Sequence, residues 1–341
     1  MKALVYRGPG VLVVEDRVEP SPGTGEVVVA VRAAGICGSD IHGAAGRTGR
    51  RTPGLVMGHE LAGVVVAQGA GVDRPRRGAR VAVYPMLACG ECDPCRAGAR
   101  QRCERRRVIG VDLPGGYAEY VAVPAANCWQ LRRGTTLAQG ALAEPLAVGL
   151  HATSVAGVRR GDTVAVLGAG AIGLCVLLAC QRRGARRVFV TDLVPERLAL
   201  AEALGGIPGS AAGDDVADRI APAAGPLTRV IDAVGRSETV RTALAIAAAG
   251  GRVAVVGMDS PQVELPLFEL VVGERTLAGV YAYTPREYAR AVRLINTRRV
   301  DVTPLIGRTC ALGDLPDLFV RLQRGEVAAP RVVADIGGGP A

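Results

Sequence analysis

The chain has 341 residues, of which 49% are hydrophobic and 3% aromatic, long enough for two domains that each bury a core. Its formal net charge of +9 would suit a nucleic-acid binder, but the basic residues are almost all Arg and lie scattered, with one local cluster at Arg105, Arg106 and Arg107. No aromatic interleaving or recognition-helix pattern accompanies them, which speaks against nucleic acid, and no apolar run approaches the roughly 18 residues of a membrane span.

The opening residues, MKALVYRGPG, alternate as a strand does and lack the long apolar stretch of a secretory signal, so a cytoplasmic location is expected. Short Val-rich segments follow between Gly and Pro: VVVAVRAAG, LAGVVVAQG, ARVAVYP and YAEYVAVP. Their even spacing predicts a barrel-like β unit over residues 1–148. A helical stretch runs from about Leu137 to Gly157. From Asp162 the pattern becomes strand–helix alternation, with TVAVLG, RRVFVTD, RVIDAVG, RVAVVG and TLAGVY as short strands, apolar throughout. That alternation predicts a doubly wound parallel sheet over residues 149–284. The helical EYARAVRLINTRRV and the strand-like PRVVADI fall in residues 285–341, which are expected to return to the first domain. The terminal GGGPA is expected to fray.

Gly168-Ala-Gly170-Ala-Ile-Gly173 directly follows TVAVL and opens the helix IGLCVLLAC. In that context the glycines allow a tight turn, backbone approach to a pyrophosphate and close helix–sheet packing, while the helix N-terminus offers N–H groups to phosphate. Asp192 ends the next strand, where a carboxylate binds a ribose 2′-OH and repels a 2′-phosphate. NAD is expected over NADP. Arg197, five residues on, is placed to stack on the adenine.

Cys89, Cys92, Cys95 and Cys103 put four thiolates in one loop, the ligand set of a structural zinc with no open position. Cys37, His59 and Glu60 offer a thiolate, an imidazole and a carboxylate, a set that suits zinc with a fourth position left open. His151, inside LAVGLHATSV, reads as a structural residue.

Together these segments resemble the zinc-containing medium-chain dehydrogenase/reductase superfamily. The matching pieces are CGSDIH from Cys37, GHELAGVVVAQGAGV from Gly58, CGECDPCRAGARQRC from Cys89, AEPLAVGLHA from Ala143 and VLGAGAIG from Val166. The resemblance implies a GroES-like catalytic domain, a Rossmann domain and an active site in the cleft between them. Glu60 and Ala143-Glu144-Pro145 look like the polyol dehydrogenase and threonine dehydrogenase branch. In that branch Cys37, His59 and Glu60 would hold the catalytic zinc, and Glu144 would either ligate it or hold its water. The resemblance also implies that Ile172, Asp192 and Arg197 contact the dinucleotide and that Val256, Gly257, Val280 and Tyr281 lie near the nicotinamide. Ala282 departs from the pattern, since sorbitol-type enzymes commonly carry a substrate-binding Arg there.

The expected reaction is NAD-linked oxidation of a secondary alcohol to a ketone, with Ser39 and His42 passing the released proton to solvent. A polyol, sugar, cyclitol or amino-sugar intermediate is the expected substrate, with L-threonine 3-dehydrogenase as the enzymatic alternative. A zinc-stabilised nucleotide-binding protein without catalysis is the alternative of another class. The resemblance further suggests a homodimer or homotetramer, with TLAGVYAY as a pairing edge.

Overall fold

A computed structural model describes residues 1–210 and 225–337; residues 338–341, where fraying is expected, lie outside the described residues. The chain forms two compact units, Met1–Glu144 with Thr284–Ala341, and Pro145–Tyr283. No helix among the described residues is long and apolar enough to cross a membrane.

In the first unit one sheet runs in the order Ile306–Ala311, Arg331–Asp335, Glu26–Gly35, Glu60–Gln68, Arg80–Val83 and Cys128–Gln130, and Tyr120–Pro124 also pairs with Glu26–Gly35. The central strand, EVVVAVRAAG, is buried along nearly its whole length, which is why it reads as an apolar run without alternation. Antiparallel register sets Gly35 opposite Glu60 on one side and opposite Val333 on the other. The ends of three strands thereby converge on one spot. Val27, Val29, Val31, Leu61, Val65, Val81 and Val83 form the core beneath them, with Tyr117 and Phe319 packed edge to face at 5.9 Å.

In the second unit six parallel strands run in the order Ile207–Ser210, Arg187–Asp192, Thr163–Leu167, Leu227–Asp232, Ala247–Val255 and Thr276–Gly279. This is the doubly wound arrangement expected from the alternation. Its direction of winding reverses between Thr163–Leu167 and Leu227–Asp232, and ligands bind at the carboxyl ends of such a switch point.

The helical stretch expected from Leu137 to Gly157 is two helices, Leu137–Ala141 and Ala143–Ala156. Pro145 explains the break: its ring would clash with the carbonyl four residues back, at Ala141. Thr136 caps the first piece, accepting the Gln139 N–H at 3.1 Å while Gln139 Oε1 accepts the Thr136 N–H at 2.9 Å. The short helix Gly38–Ala44, GSDIHGA, has no apolar periodicity and no strong helix formers, and sequence reading passed over it.

Phe319 is 3% exposed and supports Tyr117 from below. Phe319→Ala is expected to lower stability by about 3–5 kcal/mol in urea unfolding. A loss under about 1 kcal/mol would show that the contact is not part of the core.

Candidate functional site

Cys37 lies two residues past the end of Glu26–Gly35 and forms the N-cap of Gly38–Ala44. His59 immediately precedes Glu60–Gln68, and Glu60 is its first residue, so the Gly35–Glu60 register brings all three side chains together. Their ligand atoms lie within 4.8 Å of one another, as a metal ion requires. Gly35 makes room for the carboxylate, because a Cβ there would stand 2.1 Å from Glu60 Oε2.

Asp40 organises this group. It is fully buried, and its Oδ1 lies 2.8 Å from Arg51 Nη2 and 3.3 Å from His59 Nδ1. Oδ2 accepts the Cys37 N–H at 3.3 Å and lies 2.9 Å from the Tyr117 hydroxyl. Burial would raise the Asp40 carboxyl, but His59, Arg51 and Tyr117 outweigh it and hold the group at about 2. Against the same burial, His59 and Arg331 pull the Cys37 thiol down to about 7, toward the thiolate a metal needs. Arg331 comes from the strand on the other side of Glu26–Gly35; it donates to the Ile36 carbonyl at 2.6 Å and stands 3.3 Å from Glu60 Oε1. Burial raises Glu60 well above the carboxylate range, Arg331 opposes that, and the charges of Cys37 and Glu144 add to it. Neither Glu60 oxygen makes a hydrogen bond. A buried thiol, imidazole and carboxyl with open acceptor capacity fit a dication at this point.

Glu144, in the first turn of Ala143–Ala156, is buried near enough to raise Glu60 by its charge, but it is outside the group of three. Ser39 and His42 sit half-buried on the helix that Cys37 caps. His151 is buried in the second unit. Sequence reading missed Asp40, Arg51, Tyr117 and Arg331 as members of the site. Asp40 alone left a signal, as a carboxylate three residues after the N-cap.

Cys89, Cys92, Cys95 and Cys103 form a second group within 4.8 Å, with Sγ–Sγ distances from Cys89 of 3.8 Å to Cys95 and 3.5 Å to Cys103. The edge of a zinc tetrathiolate with bonds of about 2.3 Å is about 3.8 Å, so four sulfurs at these spacings fit zinc closely. The backbone N–H groups of Cys92 and Glu91 pull the Cys89 thiol down to about 6. Arg105, paired with Glu91 at 2.6 Å, brings positive charge near Cys89 and so offsets the negative charge of four thiolates.

In the second unit Gly168 turns out of Thr163–Leu167 with φ +94°, and Gly170 caps Ala171–Arg182. A Cβ on Gly170 would meet nothing within 4 Å, which leaves the backbone open to a phosphate, whereas one on Gly173 would stand 1.8 Å from the Gly168 carbonyl. Ile172 is half-buried in the first turn of that helix. Asp192 Oδ2 accepts the Ala169 N–H at 2.7 Å, which ties Asp192 to the glycine turn, and Arg197 Nη1 stands 3.7 Å from Oδ1. The Val256 and Gly257 N–H groups both donate to the Asp232 carbonyl, at 2.8 and 3.1 Å. The Val280 N–H donates to Val255 O at 2.8 Å, continuing the edge strand. Tyr281 is 36% exposed, and Ala282, where an Arg is common in sorbitol-type enzymes, has φ +49°.

Residues 23–133 match the alcohol dehydrogenase GroES-like domain and residues 171–297 the zinc-binding dehydrogenase domain. L-idonate 5-dehydrogenase of Vitis vinifera is 32% identical over 92% of this chain and 89% of that protein. L-threonine 3-dehydrogenase of Streptomyces avermitilis is 34% identical over 90% of this chain and 91% of that one. An alcohol dehydrogenase structure from Escherichia coli CFT073, complexed with NADH, superposes with a TM-score of 0.91 at 28% identity, covering 98% of this chain and 99% of that one; another similar structure holds NADP. The chain belongs to the zinc-containing medium-chain alcohol dehydrogenase superfamily. It is an oxidoreductase of the NAD(P)-dependent zinc alcohol dehydrogenase class, in agreement with the NAD and zinc expected from the sequence.

Asp40→Ala is expected to weaken zinc at the Cys37–His59–Glu60 group by about 10–100-fold in chelator competition, because the group that orients His59 is lost. Cys103→Ser is expected to remove the other zinc, leaving about one ion per chain by mass spectrometry in place of about two. Unchanged zinc affinity in the first variant, or unchanged content in the second, would contradict these assignments.

Proposed function

We propose that the enzyme oxidises a secondary hydroxyl of a polyhydroxylated substrate (a polyol, sugar, cyclitol or amino-sugar intermediate) to a ketone, with NAD as hydride acceptor. The observation that carries this reading is the group of Cys37, His59 and Glu60, with Asp40 behind it, in a chain of this superfamily. Cys37, His59 and Glu60 would hold the catalytic zinc, and Glu144 would be the second carboxylate, ligating the ion or holding its water. Zinc held there would supply acidification of a substrate hydroxyl, and a dinucleotide held at the glycine turn would supply the hydride acceptor. The chain does the rest. Asp40 fixes the His59 ring by facing Nδ1, so Nε2 is the nitrogen left for the metal. Ser39 and His42 carry the hydroxyl proton to solvent. Asp192 receives the adenosine ribose and disfavours NADP by charge, with Arg197 beside it against the adenine.

The substrate class is supported by the sugar-acid activity in the name of the idonate relative. Ala282 offers no charge where sorbitol-type enzymes carry Arg, which favours another polyhydroxylated substrate over sorbitol itself. L-threonine oxidation is the second reading, supported by the 34% identity to the Streptomyces enzyme.

A homodimer or homotetramer is proposed from the edge strand Thr276–Gly279. The helix before it, Leu267–Val272, exposes Phe268 at 79% and Val272 at 66%. A cytoplasmic site is proposed because the thiolates of both ligand groups need a reducing environment.

A panel of sorbitol, inositols, amino sugars, sugar acids and L-threonine, read as NADH absorbance, is expected to give turnover with a polyhydroxylated member and none in His59→Ala. Threonine as the best substrate would replace the first reading by the second, and turnover in zinc-free His59→Ala would overturn both. Phe268→Asp is expected to yield monomers in sedimentation; an unchanged assembly would place the interface elsewhere.

A further inference from the structure

Asp232 ends the strand Leu227–Asp232, beside the motif strand and on the opposite side from Asp192. It is fully buried. Its Oδ1 accepts the N–H groups of Val234 at 2.8 Å and Gly235 at 3.1 Å, and its Oδ2 accepts the Thr239 hydroxyl at 2.8 Å. Its backbone carbonyl accepts the N–H groups of Val256 and Gly257. Five donors thus converge on one residue that no cofactor motif includes.

The turn that Asp232 holds is wedged between two others. The Ala233 N–H donates to Leu167 O at 2.8 Å, at the root of the glycine turn, and a Cβ on Gly168 would stand 2.7 Å from Val234 Cγ2. On the far side a Cβ on Gly257 would stand 2.1 Å from the Val234 carbonyl carbon, and one on Gly235 would stand 2.2 Å from Gly257 O. Asp259 and Ser260 donate back to the carbonyls of Val234 and Gly235, both at 3.1 Å. The glycine turn, residues 233–235 and residues 256–257 are therefore interlocked, with no slack for one to move alone.

With the adenosine ribose at Asp192 and the pyrophosphate at the glycine turn, the remaining half of a dinucleotide runs over the carboxyl ends of the strands beyond the switch point, which are Leu227–Asp232 and Ala247–Val255. We propose that Asp232 is a positioning residue for the nicotinamide half of the cofactor: by clamping residues 233–235 between Gly168 and Gly257 it fixes the ledge on which that half rests. A buried acid serving only the stability of the sheet would affect both halves alike. A positioning acid affects the nicotinamide half.

The test uses the full-length, zinc-loaded enzyme, with NADH binding read by fluorescence titration and ADP binding by calorimetry. ADP lacks the nicotinamide and the ribose that carries it. Asp232→Ala is expected to raise the NADH dissociation constant about tenfold or more while the ADP constant moves less than about threefold. Asp232→Asn, whose amide oxygen still accepts from Val234 and Gly235, is expected to recover most of the NADH affinity. Thr239→Val keeps the carboxylate and deletes one donor; it is expected to show the same selectivity to a smaller degree, and it serves where Asp232→Ala fails to fold. Equal weakening of both ligands, or unchanged NADH binding in the folded variants, overturns the proposal.

Discussion

A buried negative charge at Asp40 is the constraint on which the proposed metal site depends. An isolated carboxylate in such a place would cost several kcal/mol in lost hydration. Here Arg51 supplies a full positive charge at 2.8 Å, while the Tyr117 hydroxyl and the Cys37 N–H lie at the other oxygen. With its charge balanced by Arg51, Asp40 can face His59 Nδ1 and orient the ring. The same carboxylate ties together a helix cap, a strand end and a core tyrosine, so the metal group cannot loosen without disturbing all three.

The sheet delivers the candidate ligands to that point. Pairing Gly35 with Glu60 on one side and with Val333 on the other places Cys37, Glu60 and Arg331 at one corner, and the missing Cβ of Gly35 leaves the space that the Glu60 carboxyl fills. A slip of one residue in the Gly35–Glu60 pairing would turn Glu60 to the other face, and one in the Gly35–Val333 pairing would do the same to Arg331. The second unit repeats the device with different residues. Asp192 and Asp232, at strand ends flanking the glycine turn, each accept backbone N–H groups from the loops around it. In both units a buried carboxylate holds backbone in place next to a proposed ligand position.

The parallel sheet was legible because strands covered on both faces become short apolar runs such as TVAVL and RVFV. The two thiolate-bearing groups were legible because cysteines and histidines cluster in short segments. Arg331 was not, since it reaches Ile36 from 295 residues away and nothing local marks an Arg at the start of a strand as a partner of Glu60. Arg51 and Tyr117 were hidden for the same reason. The family resemblance left Glu60 and Glu144 as competing carboxylates, whereas the three-dimensional group contains Glu60. The helical stretch expected after Leu137 is present but split in two, because the effect of Pro145 on the preceding turn outweighs the apolar composition around it. Asp232 carries no motif at all; only the convergence of donors upon it reveals it.

Zinc-edge X-ray absorption tests the metal assignment most directly. Protein carrying about two zinc ions per chain is predicted to show one ion with four sulfur neighbours near 2.3 Å, and another with a single sulfur plus nitrogen and oxygen near 2.0–2.2 Å. In Cys103→Ser protein the second signature is predicted to stand alone. A remaining ion with two or more sulfur neighbours, or with none, would contradict a centre built from Cys37, His59 and Glu60.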